Sequence, residues 1–365
     1  MSRKIEMIKE YDIIRIVATL LVVIGHCTYY SIITMYGGIN YTNIIQNYDL
    51  TNAKTYSILC ILIRVIYSFH MPLFFSLSGS LFYLSLNSIK ESSFKKFIHK
   101  KFYRLIIPFF LVTLIYSVPL KYVSGYYEES NDVMRNIIIG QIFIQGNTHL
   151  WFLLTLFFIF VIALILEKLL ISSCIKVLII IAIYLVGFRL ENYVLIYDVS
   201  IYLLWFYCGY YFEKRRINVN NYIDRRGYLF EIIITSFFFI SFIIMNYYNF
   251  DKMLLNSIKS FIFSIITAML GCINIYIYSH KLTKFSYLSE NKFYKNILSN
   301  SFGIYLYSDP INYLILYIIF RLTSVDMFVS EFGAVLIFII RLILTLVFSI
   351  IISEFFRKIR FKYMY

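Results

Sequence analysis

Residues 11–30 read YDIIRIVATLLVVIGHCTYY, an apolar stretch interrupted by Asp12, Arg15 and His26. A helix of about 20 apolar residues is long enough to cross the roughly 30 Å hydrocarbon core of a bilayer. The stretch does not fit a cleaved signal peptide, because Asp12 and Arg15 fall where the apolar part of such a peptide begins and no small-x-small cleavage site follows. It therefore predicts a membrane-spanning helix.

The composition of the whole chain agrees with a membrane protein. Of its 365 residues, 60% are hydrophobic and 15% are charged, whereas soluble globular domains average about 45–50% and about 25%. These values exclude a soluble enzyme, a disordered tail and a disulfide-stapled secreted module. The 5 cysteines fall in or beside apolar stretches and include no C-x-x-C pair, so neither a disulfide framework nor a metal site is predicted.

Apolar runs of spanning length recur along the chain. We predict an all-α, polytopic membrane bundle of about ten helices. The predicted spans are 11–30, 58–86, 105–123, 150–167, 175–188, 194–212, 229–248, 254–279, 299–320 and 333–356. The second span contains Pro72 and Gly79 and is expected to be tilted or kinked. Residues 133–145 are too short to cross and are interpreted as an interfacial or re-entrant helix.

The basic residues predict the orientation. Of the 34 Lys and Arg, 24 lie in the N-terminal segment, the alternate loops that follow it and the C-terminal tail, and 5 lie in the opposite loops. Since cytoplasmic loops carry such an excess, we expect a multi-pass protein of the cell (inner or plasma) membrane with both termini in the cytoplasm. The net charge of +14 then reflects topology and not nucleic-acid binding. A basic inner face fits membrane lipid or an anionic cytosolic cofactor.

Arg15 and His26 lie on one face of the first span. Their separation of 11 residues corresponds to three turns plus about 20°, or about 16 Å along the axis. Asp12 can pair with Arg15 at i, i+3. A charge inside a membrane is costly and needs a reason. A neutral buried imidazole can take a proton from a hydroxyl, as a general base must; alternatively, Arg15 extends to the interface and His26 hydrogen-bonds a neighbouring helix.

Other spans also carry polar residues. Arg64 is expected near the depth of His26, where it either orients a substrate or makes a structural ion pair. His70 lies deeper and is interpreted as a second polar member of the same cavity. Asp309 and Arg341 are expected to form a buried ion pair between the ninth and tenth spans; the alternative is that Asp309 orients His26.

Two further motifs flank the third and fourth spans. Lys101 and Arg104 end the basic loop 87–104 with i, i+3 spacing, so they share a helical face that suits a phosphate clamp; a topology signal is the simpler interpretation. His149 and Trp151 begin the fourth span at the outer surface, where tryptophan is an expected interfacial anchor.

Together these motifs resemble the membrane acyltransferase-3 family. The matching stretches occur in family order and are Arg15-x10-His26, Phe69–Gly79 (FHMPLFFSLSG), Arg104–Pro108, His149–Leu153 and Ser301–Leu306. Many members carry a histidine shortly after the Tyr-Leu of the ninth span, where this chain has Ser308-Asp309. The role of that second histidine therefore cannot be transferred.

The resemblance implies a single transmembrane acyltransferase domain over residues 1–365. Such enzymes move an acyl group, commonly acetyl, from cytosolic acyl-CoA, a cosubstrate and not a tightly bound cofactor, to a surface carbohydrate. It implies His26 as the essential histidine, acting as general base or acyl relay, with Arg15 as its paired basic residue and Lys101 and Arg104 at the CoA. Lower-ranked supporting or substrate-binding candidates are Asp12, Arg64, His70, His149, Trp151 and Asp309.

Two other classes of function compete with this interpretation. A transporter or flippase for lipid-linked sugars also needs many spans, buried charges and aromatic walls, but the sequence has no paired Gly/Pro-broken helices in two matching halves. A structural scaffold has no use for a costly charged residue and an imidazole inside the membrane, so Arg15 and His26 argue against that class. The acceptor, the acyl group, the choice between direct transfer and an acyl-enzyme, and the oligomeric state stay open at this point.

Overall fold

The computed structural model describes residues 8–40, 53–92, 94–128, 132–146, 148–169, 171–285 and 290–359, and these are mostly helical. The helices are α1 Lys9–Thr28, α2 Ala53–Tyr67, α3 His70–Ser92, α4 Phe94–Val123, α5 Val133–Ile142, α6 Trp151–Lys168, α7 Ser173–Gly187, α8 Val194–Glu213, α9 Arg216–Asp224, α10 Tyr228–Tyr247, α11 Met253–Leu282, α12 Lys292–Leu322, α13 Val325–Val329 and α14 Glu331–Lys358. The strands are β1 Ser31–Thr34 and β2 Gly37–Asn40.

Within the described residues, 9 helical segments are long and apolar enough to cross a membrane. They are α1, α2 taken together with α3, α4, α6, α8, α10, α11, α12 and α14. The fifth predicted span corresponds to α7, whose 15 residues extend only about 22 Å. The interfacial prediction falls on the short helix α5. An integral membrane protein is therefore supported, while the number of spans and the side of the termini stay predictions.

The second predicted span is interrupted, as its Pro72 and Gly79 suggested. Helix α2 ends at Tyr67 and α3 begins at His70. Pro72 lies in the first turn of α3, where a missing N–H removes no intrahelical hydrogen bond. Helix α4 starts earlier than predicted and includes two π-helical turns, Phe102–Ile106 and Thr113–Ser117.

A β-hairpin follows α1, and the all-α prediction missed it. Strand β1 pairs antiparallel with β2, with Thr34 opposite Gly37. Gly37 has a φ of +121°, a conformation that favours glycine. The hairpin directly continues the end of the helix that carries His26.

The chain divides into two compact units. The first comprises Met1–Leu21, Arg64–Glu91 and Tyr202–Leu298, and the second comprises Val22–Ile63, Ser92–Ile201 and Ser299–Tyr365. The prediction of one domain over residues 1–365 stays a prediction.

The first unit packs the start of α1 against α3, α9 and α11. Its buried apolar cluster is Tyr11, Ile14, Ala18, Leu73, Leu77, Ile223, Tyr276 and Ile277. Gly79 of α3 lies against α8 so closely that an added Cβ would come within 1.8 Å of the Phe206 carbonyl oxygen. Small residues allow membrane helices to approach in this way, so the glycine of the Phe69–Gly79 motif has a packing role here.

A polar cluster also stabilises the first unit. The His280 ring bridges two carboxylates, with Nδ1 3.1 Å from Glu10 and Nε2 3.3 Å from Asp224. A hydrogen bond from Lys284, at 2.7 Å, holds the pKa of Asp224 below its usual value. The sequence assigned no role to His280, and these contacts give it a structural one.

The second unit packs the hairpin and α2 against α12 and α14. Its buried apolar cluster is rich in tyrosine and comprises Tyr30, Ile39, Leu59, Tyr126, Tyr127, Tyr313, Leu316, Phe328 and Ile337. Beside this cluster lies the polar centre described below, which belongs entirely to the second unit.

Candidate active site

Helices α1 and α12 carry the central pair of the site. They are the most buried of the candidate spans, with 61% and 67% of their apolar windows inside the protein. The His26 Nδ1 atom lies 3.0 Å from Oδ1 of Asp309. This distance is that of a close ion pair, but the two groups are not aligned for a hydrogen bond. Such poor alignment is common in catalytic pairs before substrate binds.

The exposure of the two side chains differs. The His26 side chain is 15% exposed, whereas that of Asp309 is 1% exposed. Asp309 is therefore the fixed, buried partner, and His26 is the member that a substrate can reach. The arrangement of a buried carboxylate behind an imidazole orients the ring and stabilises the cation that forms when the ring accepts a proton.

Two further side chains lie against the Asp309 carboxylate. Tyr29, just past the end of α1, donates from its hydroxyl to Oδ1 at 2.8 Å. His149 places Nδ1 3.6 Å from Oδ2. The carboxylate is thus flanked by two imidazoles, one from α1 and one from the segment before α6.

A proline inside α12 explains the position of His149. Pro310 has no N–H, so the Leu306 carbonyl four residues earlier has no intrahelical donor. The Nε2 atom of His149 lies 2.9 Å from that carbonyl. Because a carbonyl only accepts, Nε2 carries the proton. The hydroxyl of Tyr305 in turn donates to the His149 carbonyl at 2.7 Å.

The protonation of His149 follows from its burial. Burial lowers the pKa of His149 to about 4, more than the Asp309 carboxylate raises it. A neutral ring with its proton on Nε2 turns the lone pair of Nδ1 toward Asp309. Within the described residues neither Nδ1 of His149 nor Oδ2 of Asp309 has a hydrogen-bond partner.

Lys121 adds a buried cation near this pair. Its side chain is 0% exposed, and its ammonium donates to Gln141 Oε1 at 3.1 Å. It also lies over the rings of Tyr126 and Tyr313, 4.8 and 5.4 Å from their centroids. The Lys121 charge is close enough to interact with that of Asp309. From the sequence this lysine was only one of several cations at the edge of a span.

Arg341 does not pair with Asp309, and the predicted ion pair is wrong. Its guanidinium donates to Asn312 Oδ1 at 3.0 Å and to the Tyr29 and His26 carbonyls at 3.1 and 3.3 Å. The amide of Asn312 also donates to the His26 carbonyl, at 2.8 Å. Carbonyls at a helix end lack intrahelical donors, and a cation there is favourable. Arg341 therefore fixes the end of α1 and the main chain of His26, while Asp309 faces the imidazole.

Arg15 and Asp12 occupy the start of the same helix, in the first unit. Their side chains approach to 3.8 Å at exposures of 37% and 15%, so the pair is weak. The predicted role of Arg15 beside His26 stays a prediction.

Arg64 and His70 lie at the break between α2 and α3. Arg64 is exposed. The His70 ring is stacked on Tyr67, with 4.7 Å between centroids, and its Nδ1 is 3.1 Å from the Ile66 carbonyl. These contacts support the helix break, and a role of either residue in a substrate cavity stays a prediction.

The predicted phosphate clamp lies at the first π-helical turn of α4. The Lys101 ammonium lies 3.8 Å from the centroid of the Phe160 ring, and the exposed Arg104 guanidinium lies 6.0 Å from that of Phe302. Both cations therefore lie over aromatic rings, and their role at a phosphate stays a prediction. Trp151 begins α6, as predicted.

Comparison with known proteins identifies the family of this chain. The acyltransferase-3 family model, described as an acyltransferase domain, matches residues 8–354. The family expectation from the motifs is thereby confirmed, which favours a membrane acyltransferase over a transporter or scaffold. No curated protein and no solved structure matches the chain.

Proposed function

We propose, since this chain belongs to the acyltransferase-3 family of membrane acyltransferases, that it moves an acetyl group from cytosolic acetyl-CoA to a carbohydrate hydroxyl. The acceptor is a cell-surface or lipid-linked carbohydrate. The observation that carries this proposal is the contact between His26 and the buried Asp309, at 3.0 Å.

His26 is the general base in this proposal. With Nδ1 turned toward Asp309, the Nε2 lone pair takes the proton of the acceptor hydroxyl as its oxygen attacks the thioester carbonyl. The carbon–sulfur bond then breaks, and the CoA sulfur leaves with the proton returned from the imidazolium. The products are an O-acetyl ester and CoA with a free thiol. Asp309 stabilises the imidazolium throughout, and the Tyr29 hydroxyl holds Asp309 by its hydrogen bond at 2.8 Å.

An acyl relay is the second form of the same chemistry. The His26 ring would then attack the thioester itself, and an acetyl-imidazole would pass the group to the sugar. The limited exposure of His26 is compatible with both forms. Mixing labelled acetyl-CoA with the protein in the absence of acceptor separates them, because only the relay releases CoA and retains label on the protein.

The donor enters from the cytoplasmic side in this proposal. The basic segments predict that side, and Lys101, Arg104 and Arg15 are the cations proposed for the CoA phosphates. Both termini then lie in the cytoplasm, and the protein resides in the cell membrane with lipid around it. The acceptor reaches His26 from the outer side.

The test is transfer of labelled acetyl from acetyl-CoA to an envelope-glycan extract by purified protein in lipid. We expect glycan-dependent transfer by the wild type and a rate lower by about 10³-fold or more for His26→Ala. His99→Ala, which changes an exposed histidine on α4, is the matched control and should transfer normally. A folded His26→Ala protein with more than a tenth of the wild-type rate would contradict the proposal.

A further inference from the structure

A cleft lies in the second unit between the hairpin and the ends of two helices. Its walls are the hairpin, the turn after α4, the start of α5 and the C-terminal end of α12. Hairpin main chain is exposed along one wall, since Gly37 and Gly38 line the cleft. Nothing in the chemistry described above uses this cleft.

The cleft combines aromatic faces with charges of both signs. Tyr317 and Phe320, both half-buried, supply the rings. Glu128, Asp132, Arg135 and Arg321 supply two carboxylates and two guanidiniums, all of them exposed. In the part of the chain that the structure describes, neither arginine makes a salt bridge; Arg321 lies over the Tyr317 ring, 5.1 Å from its centroid.

One buried polar atom in the cleft wall also lacks a partner. Tyr126 is only 1% exposed, yet within the described residues its hydroxyl makes no hydrogen bond. The nearby Thr34 hydroxyl donates to the Gly37 carbonyl at 2.7 Å and accepts from the Tyr36 N–H at 3.2 Å. A buried hydroxyl without a partner is costly, and a ligand hydroxyl in the cleft would satisfy it.

The cleft lies close to the catalytic pair. The hairpin begins at Ser31, three residues beyond the end of α1 and five residues after His26. On α12, Tyr317 is eight residues beyond Asp309, which is about 12 Å along the axis. The Tyr126 ring lies 5.5 Å from that of Tyr313, whose own ring lies 6.4 Å from Tyr29, the residue that donates to Asp309.

We propose that this cleft binds the carbohydrate acceptor. Sugars present apolar ring faces and hydroxyls that both donate and accept hydrogen bonds, which fits aromatic rings beside mixed donors and acceptors. The cleft does not fit the phosphates of CoA, since its two carboxylates offset its two arginines. Its role as the acceptor site rests on the proposed function, whereas sugar binding itself does not.

The test measures sugar binding without acetyl-CoA, so that it is independent of acyl transfer. The probes are tetrasaccharides of neutral hexose, N-acetylhexosamine and hexuronate, observed by saturation-transfer NMR with the purified full chain in lipid nanodiscs. We expect at least one probe to bind the wild type and His26→Ala equally. Failure of every probe to bind would overturn the proposal. Tighter binding of the hexuronate probe than of the neutral probes would show that the arginines favour an acidic sugar.

Paired variants locate the binding. Arg321→Gln should weaken binding of the bound probe about tenfold and Tyr126→Phe about two- to tenfold, as expected for single hydrogen bonds to charged and neutral groups. Their controls are Arg189→Gln, an exposed arginine outside the cleft, and Tyr127→Phe, a buried tyrosine beside Tyr126 that does not line it. If all four variants bind the probe as tightly as the wild type does, the sugar binds elsewhere and the assignment of the cleft is wrong.

In the transfer assay the same cleft variants should raise the KM for glycan without changing that for acetyl-CoA. Loss of transfer in His26→Ala together with intact sugar binding would separate the two proposals. If wild-type protein binds sugar in the cleft but transfers no acetyl group, the proposed function fails and the cleft assignment stands as a sugar site.

Discussion

Replacing Asp309 with asparagine keeps the size of the side chain and removes its charge. In the proposed reaction a proton moves to His26, whose Nδ1 lies 3.0 Å from the carboxylate. At that distance and an effective dielectric constant of about 20, the pair interacts by about 5.5 kcal/mol, equivalent to about 10⁴ in rate. Because the remaining polar groups compensate in part, we expect kcat for acetyl transfer to fall by about 10³–10⁴.

The assay is labelled acetyl transfer at saturating acetyl-CoA, with folding checked by thermal melting in detergent. Tyr29→Phe removes one hydrogen bond to the same carboxylate, at 2.8 Å, and should cost about 10- to 100-fold. Asp326→Asn, an exposed aspartate in α13 of the same unit, is the matched control and should be unaffected. A folded Asp309→Asn protein with more than a tenth of wild-type kcat would refute the reasoning.

Three further predictions concern the groups around the pair. Pro310→Ala supplies an N–H to the Leu306 carbonyl and so competes with His149; we expect an unchanged or higher melting temperature with a severalfold lower kcat, and an unchanged kcat would contradict the role of the proline. Burial lowers the pKa of His149 to about 4, so between about pH 6.5 and 4 the unfolded chain binds more protons than the folded protein. The free energy of unfolding therefore falls as the pH drops through that window, by up to about 3 kcal/mol. His149→Gln should flatten the dependence of the melting temperature on pH, and an equal slope in both proteins would exclude His149 as its origin. Arg341→Met removes the donors to the carbonyls at the end of α1 and should destabilise the protein by about 1–3 kcal/mol, as read from chemical denaturation; a loss below about 0.5 kcal/mol would show that the cap is not needed.

His26 could be chosen as a candidate from the sequence because one apolar run predicts the helix that carries it. Length and composition predict a span at 11–30, and the structure has α1 there, at Lys9–Thr28. Periodicity does not say which helix packs beside α1. For that reason Asp309 was first expected to pair with Arg341, whereas it faces His26 and His149, and Arg341 binds the end of α1 instead.

One feature of the site left a signal in the sequence that was not used. Pro310 in the middle of an apolar run leaves the Leu306 carbonyl without its donor, so a donor from elsewhere was required. The two-residue hairpin loop, Met35-Tyr36, is not one of the glycine-containing pairs typical of such turns, so the strands were missed. Lys121 likewise could not be distinguished from the cations that snorkel at span ends, since only the folded unit buries it against Tyr126 and Gln141.

The central claim is that His26 and Asp309 act as one catalytic unit. A double-mutant cycle tests it most directly, with kcat for acetyl transfer measured for His26→Ala, Asp309→Asn and the double variant. Groups that act together lose activity non-additively, so we expect the double variant to be no slower than His26→Ala alone. If instead the two losses multiply, the carboxylate acts independently of the imidazole, and the 3.0 Å contact is not the basis of catalysis.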